Sequence, residues 1–298
     1  MASGFRVVVI RSISKLDYRF GRMVVRTQDD KKEIHLDEIS VLIIEDTSVS
    51  LTAYLLNELN KRQVKVIFCD ENHNPASELV GIYGSYDTSK KIAQQIDWAP
   101  DRKALVWQII VTQKIENQAA LLERIGKVDK ANMLRTYAET VASGDSTNRE
   151  GMAAKVYFAA LFGSQYKRDD DNNINNTFLN YGYTLINAVF NREVTASGYL
   201  TQLGIWHRGG QNPFNLSSDL MEPFRPIIDS WVYRHDYQEL DWAAKLQMID
   251  LLNQKVRINE TGQTIMNAAE IYTKTVLNAV SSGDISVINR VDISSQPA

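Results

Sequence analysis

The 298-residue chain has a single cysteine, Cys69, so it cannot close an internal disulfide. With four histidines (His35, His73, His207 and His235), one thiol also excludes a thiolate zinc site. A lone cysteine fits a reducing cytoplasm. No apolar run approaches the ~20 residues needed to cross a bilayer, so no membrane association is expected. The start, M-A-S-G-F-R-V-V-V-I, moves straight into a strand-like run without the basic region and cleavage site of a signal peptide. No glycine-rich loop follows any strand-like run, so there is no Walker loop and a mononucleotide-binding βαβ reading is weak. An excess of positive charge is missing too: 33 basic against 36 acidic residues give −3, which argues against a protein that coats DNA nonspecifically. A nucleic-acid enzyme that gathers its Lys and Arg on one face stays open.

What is present is ordinary globular composition, 44% hydrophobic and 23% charged, in a chain long enough for two domains. The first ~85 residues read as β-rich. F-R-V-V-V-I-R, Val41 to Ile44 and V-K-V-I-F-C at 64–69 are strand-like, and Arg22–Thr27 with Glu33–Leu36 form a hairpin around Asp29–Lys32. Leu51, Leu55, Leu56 and Leu59 recur at helical spacing, so 50–62 is an amphipathic helix. The turn-rich stretch 81–89 marks a linker, placed at 86–99. Pro100 then sits where a helix begins. Trp107, Val111, Ile115, Ala119 and Leu122 make one helical stripe, and further helices are expected at 129–142, 148–162, 176–196, 227–234, 240–253 and 264–280. The expectation is an α+β chain: a β-rich domain over 1–85, the linker, an all-α-helical domain over 100–287 and a disordered tail over 288–298.

The second half holds a dispersed acid–His–acid set: Glu150 in N-R-E-G-M-A-A-K-V-Y-F, His207 in L-G-I-W-H-R, and Asp219 and Glu222 in S-S-D-L-M-E-P-F-R-P. Two carboxylates and one imidazole suit a divalent ion acting on phosphate, with oxygen ligands for Mg²⁺ and a nitrogen that favours Mn²⁺. Spacing alone is weak, since 57 residues separate Glu150 from His207 and 15 separate His207 from Glu222. Each residue also has a structural reading. Thr147-Asn148-Arg149-Glu150 fits a capping box. His207 stands where a helix would end in Arg208-Gly209-Gly210. Asp219 and Glu222 lie in a first helical turn that Ser217 or Ser218 would cap, although Pro223 and Pro226 restrict the backbone beyond them. Gly182, inside a helical pattern, indicates close approach by a backbone or ligand, or a plain helix–helix contact.

Together these segments, with L-N-Y-G-Y-T-L, F-N-L-S-S-D-L-M-E-P-F-R-P and the N-terminal I-H-L-D-E-I-S-V-L-I-I-E-D, closely resemble the CRISPR-associated protein one family over roughly residues 5–288. The wording is most similar to the subtype that accompanies the single-protein RNA-guided effector nuclease (type II-A-like). The resemblance implies a cytoplasmic prokaryotic integrase with DNA endonuclease activity. It would join the 3′-hydroxyl ends of captured prespacer DNA to a leader–repeat edge by transesterification. It further implies an N-terminal homodimer, two such dimers flanking a dimer of CRISPR-associated protein two, contacts with other adaptation proteins or the effector nuclease, and a Mn²⁺ or Mg²⁺ site in the helical domain. Carried over, the catalytic and metal residues are Glu150, His207 and Glu222, with Asp219 a further acidic position of the motif. Many relatives carry Asp where this chain has Glu222. Arg149, Lys155, Lys167, Arg168, Arg208 and Arg225 lie nearest these motifs in sequence and are the candidates for DNA phosphate contacts. The rival readings are a non-catalytic DNA-bridging scaffold and a metal-free hydrolase using Glu150 and Glu222 on a glycan.

Overall fold

Short β-branched runs separated by polar turns build the first unit of the chain, and long stripes at helical spacing build the second. The computed structural model describes residues 4, 6–71, 73, 75–81 and 85–294, in two units, Met1–Tyr86 and Asp87–Ala298.

The first unit runs β1 (Arg6–Ile10), β2 (Lys15–Arg19), β3 (Arg22–Arg26), β4 (Lys31–His35), β5 (Ile39–Ile44), β6 (Ser50–Leu51), α1 (Ala53–Lys61), β7 (Lys65–Cys69) and β8 (Pro75–Leu79). One sheet has the order β1-β5-β7-β8, parallel except for β8; the other, β4-β3-β2-β6, is antiparallel except for β6. All six residues of β5 are buried between parallel neighbours, as a continuous I-S-V-L-I-I run requires. The expected hairpin is β3–β4, with Met23 opposite Ile34 and a turn in which Thr27 Oγ1 accepts from Asp30 N at 3.0 Å. Leu55 and Leu59 of α1 pack with Leu16, Met23, Leu42 and Val66 in the core. Thr52 caps α1 by accepting from Leu55 N.

The second unit contains α2 (Thr88–Ile96), α3 (Pro100–Arg124), α4 (Val128–Glu139), α5 (Arg149–Phe162), α6 (Ile174–Ala196), α7 (Asn215–Met221), α8 (Arg225–Arg234), α9 (Trp242–Asp250), β9 (Lys255–Ile258), β10 (Thr261–Thr264), α10 (Ile265–Ser282) and β11 (Val291–Asp292). Helix α3 is its spine and packs on α4, α5, α8, α10 and the 3₁₀ turn Glu222–Phe224. Its buried face carries the apolar Trp107, Ile110, Val111 and Ile115 together with the polar Gln113, Lys114, Asn117 and Gln118.

Two expectations about segments are corrected. The stretch 86–99 is not an open linker: it carries α2, and of the turn-like 81–89, residues 82–84 lie outside the described residues. Gln95 is buried and ties α2 to the second unit, donating to Leu200 O and Leu203 O and accepting from Leu200 N. Residues 288–294 are not disordered. Ile288, Val291 and Ile293 are buried, and β11 pairs with β9; residues 295–298 of the expected tail lie outside the described residues. The helical unit therefore also holds a small sheet, β10-β9-β11.

Gly182 in α6 resolves as a helix–helix contact. A Cβ there would lie 2.5 Å from Ile228 Cγ2 and 2.7 Å from Met248 Cε. Gly182→Ala should therefore lose about 1–3 kcal/mol by overpacking, beyond the roughly 1 kcal/mol of helix propensity gained. Urea unfolding of Gly182→Ala, Ile228→Ala and the pair checks this, the double variant losing less than the sum of the two single variants.

Candidate active site

Glu150 is placed by a tight loop. Asp145 and Asn148 both adopt left-handed backbone, φ 46° and 52°, a region that Asp and Asn tolerate better than most residues. Asp145 accepts from the amides of Arg149 and Glu150, and Asn148 accepts from Gly151 N. The first-turn donors of α5 are thus satisfied by Asp145 and Asn148, not by the capping box that the sequence offered. That leaves the Glu150 side chain free to leave the helix end, and its Oε1 lies 2.6 Å from Lys114 Nζ.

Glu222 opens the 3₁₀ turn between α7 and α8, where Pro223 and then Pro226 sit near helix starts. Its buried Oε2 is 2.5 Å from Lys114 Nζ without hydrogen-bond alignment, and Oε1 accepts from Arg225 Nε at 2.9 Å. Burial pushes the Glu222 carboxyl up, but Arg225 and Lys114 outweigh it and hold it below the usual carboxylate range. Burial likewise pulls Lys114 down, and Glu222 and Glu150 overcome it, leaving the ammonium raised.

His207 lies in an irregular loop, not at a helix end, since α6 stops at Ala196. The neighbouring carboxylate anchors that loop. Asp219, fully buried in α7, accepts from Trp206 N and His207 N on the backbone and lies 2.5 Å from His207 Nδ1. Gly204 permits this closeness, because a Cβ there would meet His207 O at 2.4 Å and Asp219 Oδ2 at 2.8 Å. With Nδ1 held by Asp219, Nε2 is the nitrogen left for another partner. The imidazole side chain is 41% exposed although Asp219 is wholly buried, so the ring is presented outward from a rigid anchor. The Asp219 hydrogen bond raises the His207 pKa against burial, and the charges of Asp219, Glu222 and Glu150 add to the rise. Trp107 meets the imidazole edge-on at 5.5 Å and stacks on Trp206.

Among the described residues, no three His, Cys, Asp or Glu side chains converge as a ready-made metal cluster. Two of the expected ligands, Glu150 and Glu222, do converge, on the Lys114 ammonium, and His207 lies within the field of both. The donor set fits a hard divalent ion: paired carboxylates facing one cationic centre, and an imidazole with Nε2 available. Asp219 has both oxygens engaged by the His207 loop. Of the basic candidates, Lys155, Lys167 and Arg208 are exposed. Arg168 is bonded to Asn176 and Asn180, Arg149 lies over the Tyr137 ring, and Arg225 spans Glu222 and the Tyr183 ring at 4.5 Å.

Sequence reasoning missed Lys114, and also Lys103, partly buried beside Arg208 and Asp219 with its pKa lowered chiefly by burial. The signal available for Lys114 was position: it falls seven residues after Trp107, on the buried side of α3. A deeper layer was also missed. Buried Asp229 accepts from the hydroxyls of Tyr157 and Tyr183, and the Tyr183 ring supports Arg225.

A family model described as CRISPR associated protein Cas1 matches residues 7–239. The chain belongs to the Cas1 family. It is 36% identical over 261 residues to the CRISPR-associated endonuclease Cas1 of Neisseria meningitidis, covering 85% of each chain. Its fold is similar to that of a casposase bound to integration product (TM-score 0.73, 18% identity, 94% of this chain and 91% of that one). It is also similar to a chain of a Cas6-RT-Cas1–Cas2 complex (TM-score 0.72, 16% identity, 97% of this chain and 36% of that one). The match to the Cas1 family spans both the first unit and the helical unit that holds Glu150, His207 and Glu222.

Burial raises the Asp229 carboxyl to about 6 against an ordinary 3.8, with the two tyrosine bonds opposing. A raised folded-state pKa means that folding favours the protonated form. Stability from this group is full below about pH 4, falls as pH rises to about 6, and stays constant above, a change of about 3 kcal/mol. Urea unfolding of metal-free protein from pH 4 to 7 should show that component in the wild type and lack it in Asp229→Asn.

Proposed function

We propose that this Cas1-family chain is a metal-dependent DNA integrase of CRISPR adaptation with associated endonuclease activity. The observation that carries the reading is the convergence of Glu150 and Glu222 on one cationic centre beside an imidazole oriented by Asp219. The endonuclease name of the Neisseria relative and the integration product in the casposase structure support that class of reaction.

Glu150, Glu222 and His207 Nε2 would hold Mn²⁺ or Mg²⁺. Bound there, the ion would supply Lewis-acid polarisation of a phosphoryl oxygen and neutralise developing charge. Asp219 fixes the imidazole tautomer, and we assign it that orienting role in place of ligation. The 3′-hydroxyl of a DNA end attacks a repeat-edge phosphodiester; one P–O bond forms, one breaks, and a new 3′-hydroxyl leaves. The exchange is nearly isoenergetic and needs no nucleotide hydrolysis. Water in place of the hydroxyl gives strand cleavage. Lys155, Lys167 and Arg208 are exposed and would meet phosphates, each steepening the salt dependence of binding by about one unit. Arg225 serves Glu222 in the site's interior, and Arg168 is engaged with Asn176 and Asn180.

The expected partners are double-stranded prespacer and leader–repeat DNA, a second copy of the chain and CRISPR-associated protein two in the two-dimers-to-one arrangement. Other adaptation proteins and the effector nuclease are further candidates. The Cas1–Cas2 assembly among the similar structures supports the partner, and exposed Phe20 and Tyr54 beside Tyr18 give the first unit an apolar surface for pairing. A second reading, a DNA-bridging scaffold, draws support from the full neutralisation of Glu222 by Lys114 and Arg225 without any ion.

A strand-transfer assay separates the two. Purified chain with its small partner is given labelled DNA bearing 3′-hydroxyl ends and a repeat-bearing supercoiled plasmid. Label should join the plasmid with Mn²⁺, vanish with EDTA, and fall at least ~100-fold in Glu150→Ala and His207→Ala. Joining that survives EDTA sinks the metal assignment, and DNA binding without joining under every condition selects the scaffold.

A further inference from the structure

Lys114 has no role in the reaction proposed above, yet it is a buried cation paired with both of the expected acidic ligands. Its side chain is 11% exposed, on the central helix α3, and its single nitrogen touches carboxylates from two other elements at 2.6 and 2.5 Å. An ammonium has three donors and no acceptor, so it is suited to bridging separate carboxylates. We propose that Lys114 is a resident counter-cation that holds Glu150 and Glu222 together in the metal-free protein and is displaced when a divalent ion loads. This rests on the metal reading of the site.

Two like-charged carboxylates brought together in a buried place repel, and each is costly to leave unpaired. Lys114 removes that cost without an ion and leaves both oxygens facing one centre. A divalent ion would take the same two oxygens. Ammonium and ion would then share partners at close range with little water between them, where repulsion is strong. Lysine is the residue that can yield. Its four-carbon stem has several rotatable bonds, and the ammonium keeps its proton as it moves. Arg225 is not equivalent: it meets only Glu222, through the other oxygen, and its guanidinium rests on the Tyr183 ring. Loading is therefore a cation exchange that adds two positive charges and releases one ammonium from the carboxylate pair.

The exchange makes an unusual demand on a substitution at a buried ion pair. Lys114→Met should bind the metal more tightly, although it weakens the metal-free fold. Calorimetric Mn²⁺ titration of the full chain without DNA reads this directly. We expect at least tenfold tighter binding in Lys114→Met than in wild type, and binding abolished in Glu150→Gln. A larger thermal shift with Mn²⁺ in the methionine variant should accompany the gain. Equal or weaker binding in a folded Lys114→Met overturns the exchange while leaving the metal reading intact. No binding in wild type or variant overturns both. Should the variant not fold, wild-type protein decides: acylation of the Lys114 amine by an amine-directed reagent, followed by mass spectrometry, should quicken several-fold when Mn²⁺ is added. An unchanged rate at saturating Mn²⁺ overturns the proposal.

Discussion

Two carboxylates inside a packed helical unit repel one another, and the arrangement of this site depends on the ammonium between them. Lys114 draws Glu150 from the start of α5 and Glu222 from the turn before α8 to one point, so three elements are referred to a single atom. Buried ion pairs add little net stability, because desolvation offsets most of the attraction. Their value here is positional. The ammonium gives both acids one common partner, while Arg225 and the capped start of α5 hold the two side chains from behind.

Around that centre the other contacts divide by task. Asp219 commits both oxygens to the His207 loop, which presents the imidazole at the outer rim with Nε2 outward. Asp229 and its two tyrosines form a floor beneath Arg225, dry enough to raise a carboxyl by two pH units. Helix α3 joins these layers: Trp107 braces the histidine and Lys114 collects the acids. Asn117, one turn further, donates to Pro223 O at 2.8 Å and to Val291 O at 3.1 Å. A helix with a polar strip on its buried face looks wasteful as a core element, and sensible as the beam of a site.

Much of this was legible in the sequence, and the exceptions have physical causes. The long helices follow from their stripes, and Glu150, His207 and Glu222 follow from the wording of their motifs. Lys114 was hidden because an isolated lysine in an amphipathic helix reads as solvated until its neighbours are known. The capping-box pattern at Thr147 pointed Glu150 inward to its own helix, when Asp145 from outside the pattern does the capping. The β9–β10 hairpin escaped because its two-residue turn is Asn259-Glu260, both at positive φ, where an Asn-Gly pair would have announced it. Residues 288–294 looked too polar to fold, yet Val291 and Ile293 alternate in the manner of a strand.

Asn117 also gives the order in which the protein can be made an importance that its final shape conceals. The same amide steadies the Glu222 turn and grips the strand at Val291, while Gln113 accepts from Val291 N and Arg124 donates to Ile293 O. During synthesis, α3 leaves the ribosome more than 150 residues before this strand does, going by their positions at 100–124 and 291–292. The acids, the lysine and the histidine are thus all translated well before the clasp that braces them. A chain ended near residue 280 would carry every chemical group of the site but lack β11 and its ties to α3. Such a chain keeps the Asn117 bond to Pro223 O but loses the strand that shares the same amide, so the last residues translated close a clasp on a helix made long before them.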